Sequence, residues 1–267
     1  MPMTINTNIS SMNAQRNLAG SQMSLATSMQ RLSSGLRVNS AKDDSAGLAI
    51  ADRMNAQVRG MMVASRNAND GISMAQTAEG ALSTVTDALQ RMRELGVQAQ
   101  NGTNSTTDRA NLDTEYQQLS QEISRIAAQT KFNGTAIIGA GAGANVFQVG
   151  ANNGETLAIT TTTVTTVAGN LTSAANASTA VAALDVAIDT ITTQRATYGA
   201  AMNRFGMAIS NLAISTENQS AARGRIMDAD FAVETANLSR AQILQQAGNA
   251  MVAQANQLPN QVMTLLR

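Results

Sequence analysis

Between Pro2 and Pro259 the chain runs for 256 residues without a proline. Proline breaks helix interiors by removing a backbone donor and clashing with the preceding turn, so its absence leaves helices free to run long. The side chains point the same way. Charged residues make up 13% of the chain, against ~25% in an average domain. Aromatic residues make up only 2%, and alanine supplies much of the 43% hydrophobic share. A chain so poor in bulky side chains builds closely approaching helices more readily than a thick core, because alanine is the best helix former and fills little space.

Periodicity places five helical segments. Val181, Leu184, Ile188, Ile191, Arg195, Tyr198, Met202, Phe205, Ile209 and Leu212 follow one another at strict 3-4 spacing, a coiled-coil seam interrupted only by Arg195. A matching seam runs through Ala75, Ala78, Leu82, Val85, Leu89, Met92, Gly96 and Ala99, and a shorter one through Leu112, Tyr116, Leu119, Ile123 and Ile126. The chain ends read as helices too, through Leu25, Met29, Leu32 and Leu36, and through Leu244, Ala247, Met251, Ala255, Leu258, Val262 and Leu265. Methionines at or near these seams, such as Met74, Met92, Met202, Met251 and Met263, read as core filler.

The breaks agree with the seams. Asn101-Gly-Thr-Asn-Ser105 is a turn that folds the third helix back on the second. Ser40-Ala-Lys-Asp43 has capping-box spacing and reads as a helix start, and Asn133-Gly134 reads as the end of the third helix. Val146–Val149 and Thr156–Ile159 flank Asn152-Asn153-Gly154 as a β-hairpin, and the threonine-rich stretch 160–166 favours extended backbone. The predicted fold is mainly α: a long antiparallel coiled-coil rod with the N- and C-terminal helices paired and a small β-hairpin region at about 134–178.

The same composition removes much chemistry. With no histidine and no cysteine, a Ser-His-Asp triad, a thiol nucleophile, a disulfide and most zinc sites are excluded. The carboxylate pair Asp43-Asp44 has no nucleophile or metal cage beside it and reads as a solvated helix start. No active site, cofactor or metal is expected. A formal net charge of zero, with Lys42 and Lys131 the only lysines, argues against a nucleic-acid partner. No apolar stretch approaches the ~18 residues of a membrane span, and the first basic residue, Arg16, is followed by no signal-peptide apolar run.

Specific strings then become recognisable. Gln30-Arg-Leu-Ser-Ser-Gly-Leu-Arg-Val-Asn-Ser-Ala-Lys-Asp-Asp-Ser-Ala-Gly-Leu-Ala-Ile-Ala51 closely resembles the N-terminal segment of bacterial flagellins. So do Ser65-Arg-Asn-Ala-Asn-Asp-Gly-Ile72, Leu238-Ser-Arg-Ala-Gln-Ile-Leu-Gln-Gln-Ala-Gly248 and the ending Leu265-Leu266-Arg267. The resemblance covers roughly residues 1–135 and 180–267. It implies a structural subunit of the flagellar filament in a short form lacking the variable outer domains. Residues 1–40 and 229–267 would be the inner-core terminal helices, and 41–228 the outer core. The implied location is extracellular, reached through the flagellar type III apparatus without signal cleavage. Implied partners are further copies of the chain, an export chaperone, the hook-associated junction and cap proteins, and host flagellin-sensing receptors. A hook–filament junction protein, or a helical binding module of another class, are the alternatives.

The resemblance also assigns residues. Leu89-Gln-Arg-Met-Arg-Glu-Leu-Gly-Val-Gln98 is similar to the flagellin helix engaged by a Toll-like receptor, which makes Arg91 and Leu95, with Glu115 from the next helix, a candidate recognition patch. The segment recognised in flagellins by a plant receptor kinase corresponds to Gln30–Ala51, with Gln30, Leu32, Asn39, Lys42, Asp43 and Asp44 as candidate epitope residues. Filament assembly falls to the apolar positions of the last helix, Leu244, Met251, Leu258, Val262, Leu265 and Leu266. These terminal segments carry many Ser, Asn and Gln between their apolar positions, and so are expected to order only against neighbours.

Overall fold

The computed structural model describes residues 7–139, 143–161, 163–164 and 167–265, with side chains up to residue 257. Five helices are present among them: α1 (Ile9–Ser34), α2 (Ser45–Gln100), α3 (Thr106–Gln129), α4 (Ala174–Met227) and α5 (Phe231–Leu265). Two antiparallel sheets of two strands complete the fold. One pairs β1 (Lys131–Phe132) with β2 (Thr135–Ala136), and the other pairs β3 (Ala144–Gln148) with β4 (Thr156–Thr160). The chain divides into two compact units, Met1–Ala56 with Asn218–Arg267, and Gln57–Glu217.

The core of the Gln57–Glu217 unit is a heptad seam. Met61, Ala64, Ala68, Gly71, Ala75, Ala78, Leu82, Val85, Leu89, Met92, Gly96 and Ala99 of α2 are all buried, at unbroken 3-4 spacing. The expected seam from Ala75 to Ala99 therefore holds and continues two heptads upstream. There small residues hide it, because alanine and glycine carry little hydrophobic signal. On α4 the buried positions are Ala177, Ala180, Leu184, Ile191, Gln194, Tyr198, Ala201 and Phe205. Four of these were expected. The alternate positions Ile188, Arg195 and Met202 lie only half-buried on the flank, while Gln194 and Ala201 take the inner places.

The two long helices run antiparallel. Arg195 of α4 pairs with Glu79 of α2 at 2.7 Å, and Asp185 pairs with Arg93 at 2.6 Å, so α4 retreats as α2 advances. Two glycines let them approach. A Cβ on Gly71 would stand 2.8 Å from the Phe205 ring, and one on Gly96 would stand 2.6 Å from a Val181 methyl. The third helix folds back as expected. Arg109 of α3 donates to the Ala99 and Asn101 carbonyls at 2.9 and 3.1 Å, holding the turn closed. Ser105 and Asp108 form a capping box at its start.

Asn133-Gly134 does not end α3, which stops at Gln129. It is the two-residue turn of the β1–β2 hairpin, with φ of 49° at Asn133 and 81° at Gly134, the left-handed pair that a tight hairpin turn demands. The β3–β4 hairpin forms as expected and docks on α4, where the Gln194 amide donates to the Thr160 carbonyl at 3.2 Å. Tyr198 beside it donates to the Ile137 carbonyl at 3.4 Å, and burial pushes its phenol up to about 12. The expected extended stretch begins at the end of β4, but residues 162, 165 and 166 lie outside the described residues.

In the other unit, α1 and α5 pair antiparallel. Asn8 donates to the Ala255 carbonyl at 2.7 Å, Ser11 donates to the Asn256 side chain at 2.7 Å, and Leu18 lies against Gly248. Helix α1 ends at Gly35, whose φ of 72° is the left-handed stop that glycine adopts without strain. Leu36, expected within the first helix, is therefore outside it and forms an isolated antiparallel bridge with Asp228. Arg37 N–H donates to the Met227 carbonyl at 2.7 Å, and Ala229 N–H to the Gly35 carbonyl at 2.9 Å, tying the two connections together.

The helix start expected at Ser40–Asp43 is also corrected. Asp43 accepts from the Asn39 and Ser40 N–H groups and the Ser40 hydroxyl, closing a turn before the helix. Asp44 then accepts from the Gly47 N–H at 2.8 Å and caps α2 itself.

Candidate assembly and recognition surfaces

Helices α1 and α5 expose what helices usually hide. Ser11 and Ser28 are the buried residues of α1, and among the described side chains of α5 only Glu234, Ala241 and Ala255 are buried. Many of their larger apolar side chains face outward, while Leu18, Leu25 and Leu32 of α1 and Leu238 and Val252 of α5 are half-buried. Ile9 is 66% exposed, Met23 68%, Ile243 65% and Met251 63%, with Met12, Met29, Phe231, Val233 and Leu244 also exposed. Serine, alanine and the half-buried leucines thus join the two helices, while the exposed side chains, worth about 1.5–3 kcal/mol each on burial, remain in water. Exposed apolar surface of this kind marks a face for a partner.

Of the six expected assembly residues, Leu244 and Met251 lie on this outward surface. Met251, also expected as core filler, is not core in the single chain. Leu258, Val262 and Leu265 continue α5 but their side chains, with that of Met263, lie outside the described residues, as does Leu266. The sequence reading missed Ile9, Met12 and Met23, which precede its predicted seam positions on α1. Their signal was large apolar residues off the seam.

The candidate recognition residues are partly brought together. Arg91 on α2 donates through Nε to Glu115 of α3 at 2.9 Å and pairs through a terminal nitrogen with Glu94 at 2.9 Å. These contacts, Glu115 first, raise the arginine further above its already high value, so it stays charged at any ordinary pH. The cluster is open to solvent, with the Arg91 side chain 50% exposed and Glu115 44%. Leu95 does not join them. It is 1% exposed and belongs to the core beneath. Glu94, three residues after Arg91, was missed although one helical turn brings it alongside.

The candidate epitope is a helix end followed by an irregular connection. Gln30 and Leu32 sit in the last turns of α1, the first exposed and the second half-buried. Asn39, Lys42 and Asp43 are exposed beyond it, and Asp44 is half-buried at the start of α2. Hydrogen bonds from the Ser40 hydroxyl, then from the Asn39 and Ser40 N–H groups, hold the Asp43 carboxyl below the usual range. No helix of the described residues is long and apolar enough to cross a membrane.

Comparison with known proteins places this arrangement. The bacterial flagellin N-terminal helical region matches residues 5–141, and the bacterial flagellin C-terminal helical region matches residues 181–266. The chain is 45% identical to a flagellin of Halalkalibacterium halodurans over 272 aligned positions, covering 99% of this chain and all of that protein. It is 42% identical to a flagellin of Xenorhabdus nematophila over 313 positions that take in the whole of both. The crystal structure of Bacillus cereus flagellin is similar with a TM-score of 0.52 and 37% identity, over 55% of this chain and 88% of that one. Only residues 142–180 lie between the two conserved regions. The chain therefore belongs to the bacterial flagellin family, structural subunits of the flagellar filament, and is a short form without outer domains.

Proposed function

We propose that this chain polymerises with copies of itself through its terminal helices, making the filament that drives swimming, and has a structural rather than a catalytic role. The observation that carries the reading is the outward apolar surface of α1 and α5. Neighbouring copies would cover Leu244, Met251 and, further along α5, Leu258, Val262, Leu265 and Leu266. On this reading residues 1–40 and 229–267 form the inner core of the filament and 41–228 the outer core. Export would proceed through the flagellar type III apparatus without cleavage, aided by a chaperone, and assembly would occur between the junction and cap proteins. Host recognition would use Arg91 with Glu115 and Glu94 for the animal receptor, and the 30–44 segment for the plant receptor. Leu95 would support that surface from below.

Limited proteolysis tests the assembly reading. A protease should trim both ends of the monomer while sparing the core built on Leu82–Ile126 and Val181–Leu212, and polymerisation should protect those same ends. The trimmed core should keep its helicity and fail to extend preformed filament seeds. Extension at the rate of the intact chain would overturn the proposal.

A further inference from the structure

A cleft of about 660 Å³ opens in the Gln57–Glu217 unit. Its walls are α2, the tight turn of the β1–β2 hairpin and strand β3. Asn67 of α2 donates to the Gln148 carbonyl at 3.0 Å and fixes β3 against the helix, so the cleft is a built feature of the fold. Its size is that of a small-ligand site, which spans about 300–1,000 Å³.

The lining has a particular chemistry. Asp70 and Thr135 bring a carboxylate and a hydroxyl, and Asn133 and Asn145 bring two carboxamides. None of these four side chains has a hydrogen-bond or ion-pair partner among the described residues. Behind them lie Met74, Phe132, Ile137 and Phe147. The Phe147 ring is held edge-on to Phe205, with centroids 5.5 Å apart and planes at 88°, so its orientation is set before any ligand arrives. Asn133 is presented by a turn whose left-handed backbone leaves little freedom at that position.

Each class of ligand meets this lining differently. No lysine or arginine lines the cleft, and its one charge is negative, so a phosphate or other anion finds no counter-charge. A single carboxylate does not make a cation cage. A purely apolar ligand would leave the carboxylate and carboxamides desolvated and unpaired. A ring carrying several hydroxyls on its edge and C–H groups on its faces satisfies both halves. The carboxylate accepts from hydroxyls, the carboxamides both donate and accept, and the aromatic and aliphatic floor takes the C–H face. We propose that this cleft binds a neutral saccharide, with Asp70 and Asn145 as its main hydrogen-bonding residues and Phe132 and Phe147 as its floor.

Saturation-transfer difference NMR on the full-length monomer tests this, using galactose, mannose, N-acetylglucosamine and their β-linked disaccharides at millimolar concentration. At least one sugar should receive saturation. Asp70→Ala combined with Asn145→Ala should reduce the effect tenfold or more while circular dichroism stays unchanged, and Met207→Ala, an exposed change outside the cleft, should leave it intact. Asp70→Asn, which keeps a carbonyl acceptor, should retain part of the binding. No transfer to any of these sugars overturns the proposal, as does transfer indifferent to the double substitution. If the double variant binds no sugar less well but slows filament growth on seeds, the cleft is a contact between copies and the proposal also falls.

Discussion

The ring of Phe205 on α4 lies across Gly71 on α2, where a Cβ would stand 2.8 Å from its outermost carbon. Phe205 is fully buried and also takes the edge contact of Phe147 from β3. One aromatic side chain thus joins both long helices and the larger hairpin, in a chain with only four phenylalanines. Phe205→Ala should cost about 3–5 kcal/mol, seen as a lower midpoint in urea unfolding of the monomer. An unchanged midpoint would mean that the register of α2 on α4 is wrong.

Gly96 gives the opposite lesson about helix propensity. Alanine is the better helix former by about 1 kcal/mol, so on propensity alone Gly96→Ala would stabilise α2. The Val181 methyl at 2.6 Å from the new Cβ leaves no room for it. Gly96→Ala should instead destabilise by about 1–3 kcal/mol, as overpacked cores do. Adding Val181→Ala should recover part of that loss, a coupling that a double-mutant cycle in urea will read.

The proposed recognition surface separates charge from packing. Arg91→Asp should abolish signalling through the flagellin-sensing Toll-like receptor while leaving the thermal midpoint of the monomer almost unchanged, because the ion pair is solvent-exposed. Leu95→Ala should do the reverse at first sight, lowering stability by about 2–5 kcal/mol through the cavity it leaves. Full signalling by Arg91→Asp in a cell reporter assay would remove Arg91 from the patch.

Acid should loosen two turns before it unfolds the helices. The carboxyls of Asp43 and Asp108 are held below the ordinary aspartate value, in each case first by a serine hydroxyl and then by backbone N–H, from Asn39 and Ser40 at Asp43 and from Ser105 at Asp108. A carboxyl depressed by folding contributes stability above its unfolded value, ~3.9 for aspartate, and that contribution is lost as pH falls through the folded value. Amide exchange at Ser40 and Ser105, corrected for intrinsic rate, should therefore accelerate as pH falls below about 4 and stay flat above about pH 5. Asp43→Asn should remove the pH dependence at Ser40 alone.

The helices were legible because their apolar residues recur with one period, and the turn at 101–105 because glycine and asparagine interrupt it. What the sequence concealed was the identity of the inner positions. A seam built from Ala64, Ala68 and Gly71 has no apolar contrast with its surroundings, and a buried Gln194 beside a half-buried Arg195 reverses the usual expectation. Asn133-Gly134 was misread because a helix stop and a hairpin turn both call for a left-handed residue, and only the pairing of Phe132 with Thr135 tells them apart. Arg91 and Glu115 were matched by the resemblance to flagellins, and the turn at 101–105 is what lets their two helices bring them within 2.9 Å. The burial of Leu95 was not legible, because position 95 faces the groove between α2 and its neighbours only in this register. The outward side chains of α1 were hidden for a related reason, since periodicity finds a face without saying which face is covered.

On the proposed assembly, the exposed apolar side chains of the α1–α5 pair would make its order depend on concentration. A helix pair with a bulky interior is equally stable at any dilution, since all of its burial is intramolecular. This pair leaves Ile9, Met23, Ile243 and Met251 to be covered from outside, and a cover supplied by another copy enters as a bimolecular step. Dilution would then loosen the two ends of the chain while the melting of the Gln57–Glu217 unit stayed where it was. How firmly those ends hold their shape would then be a property of the population of copies as much as of one molecule.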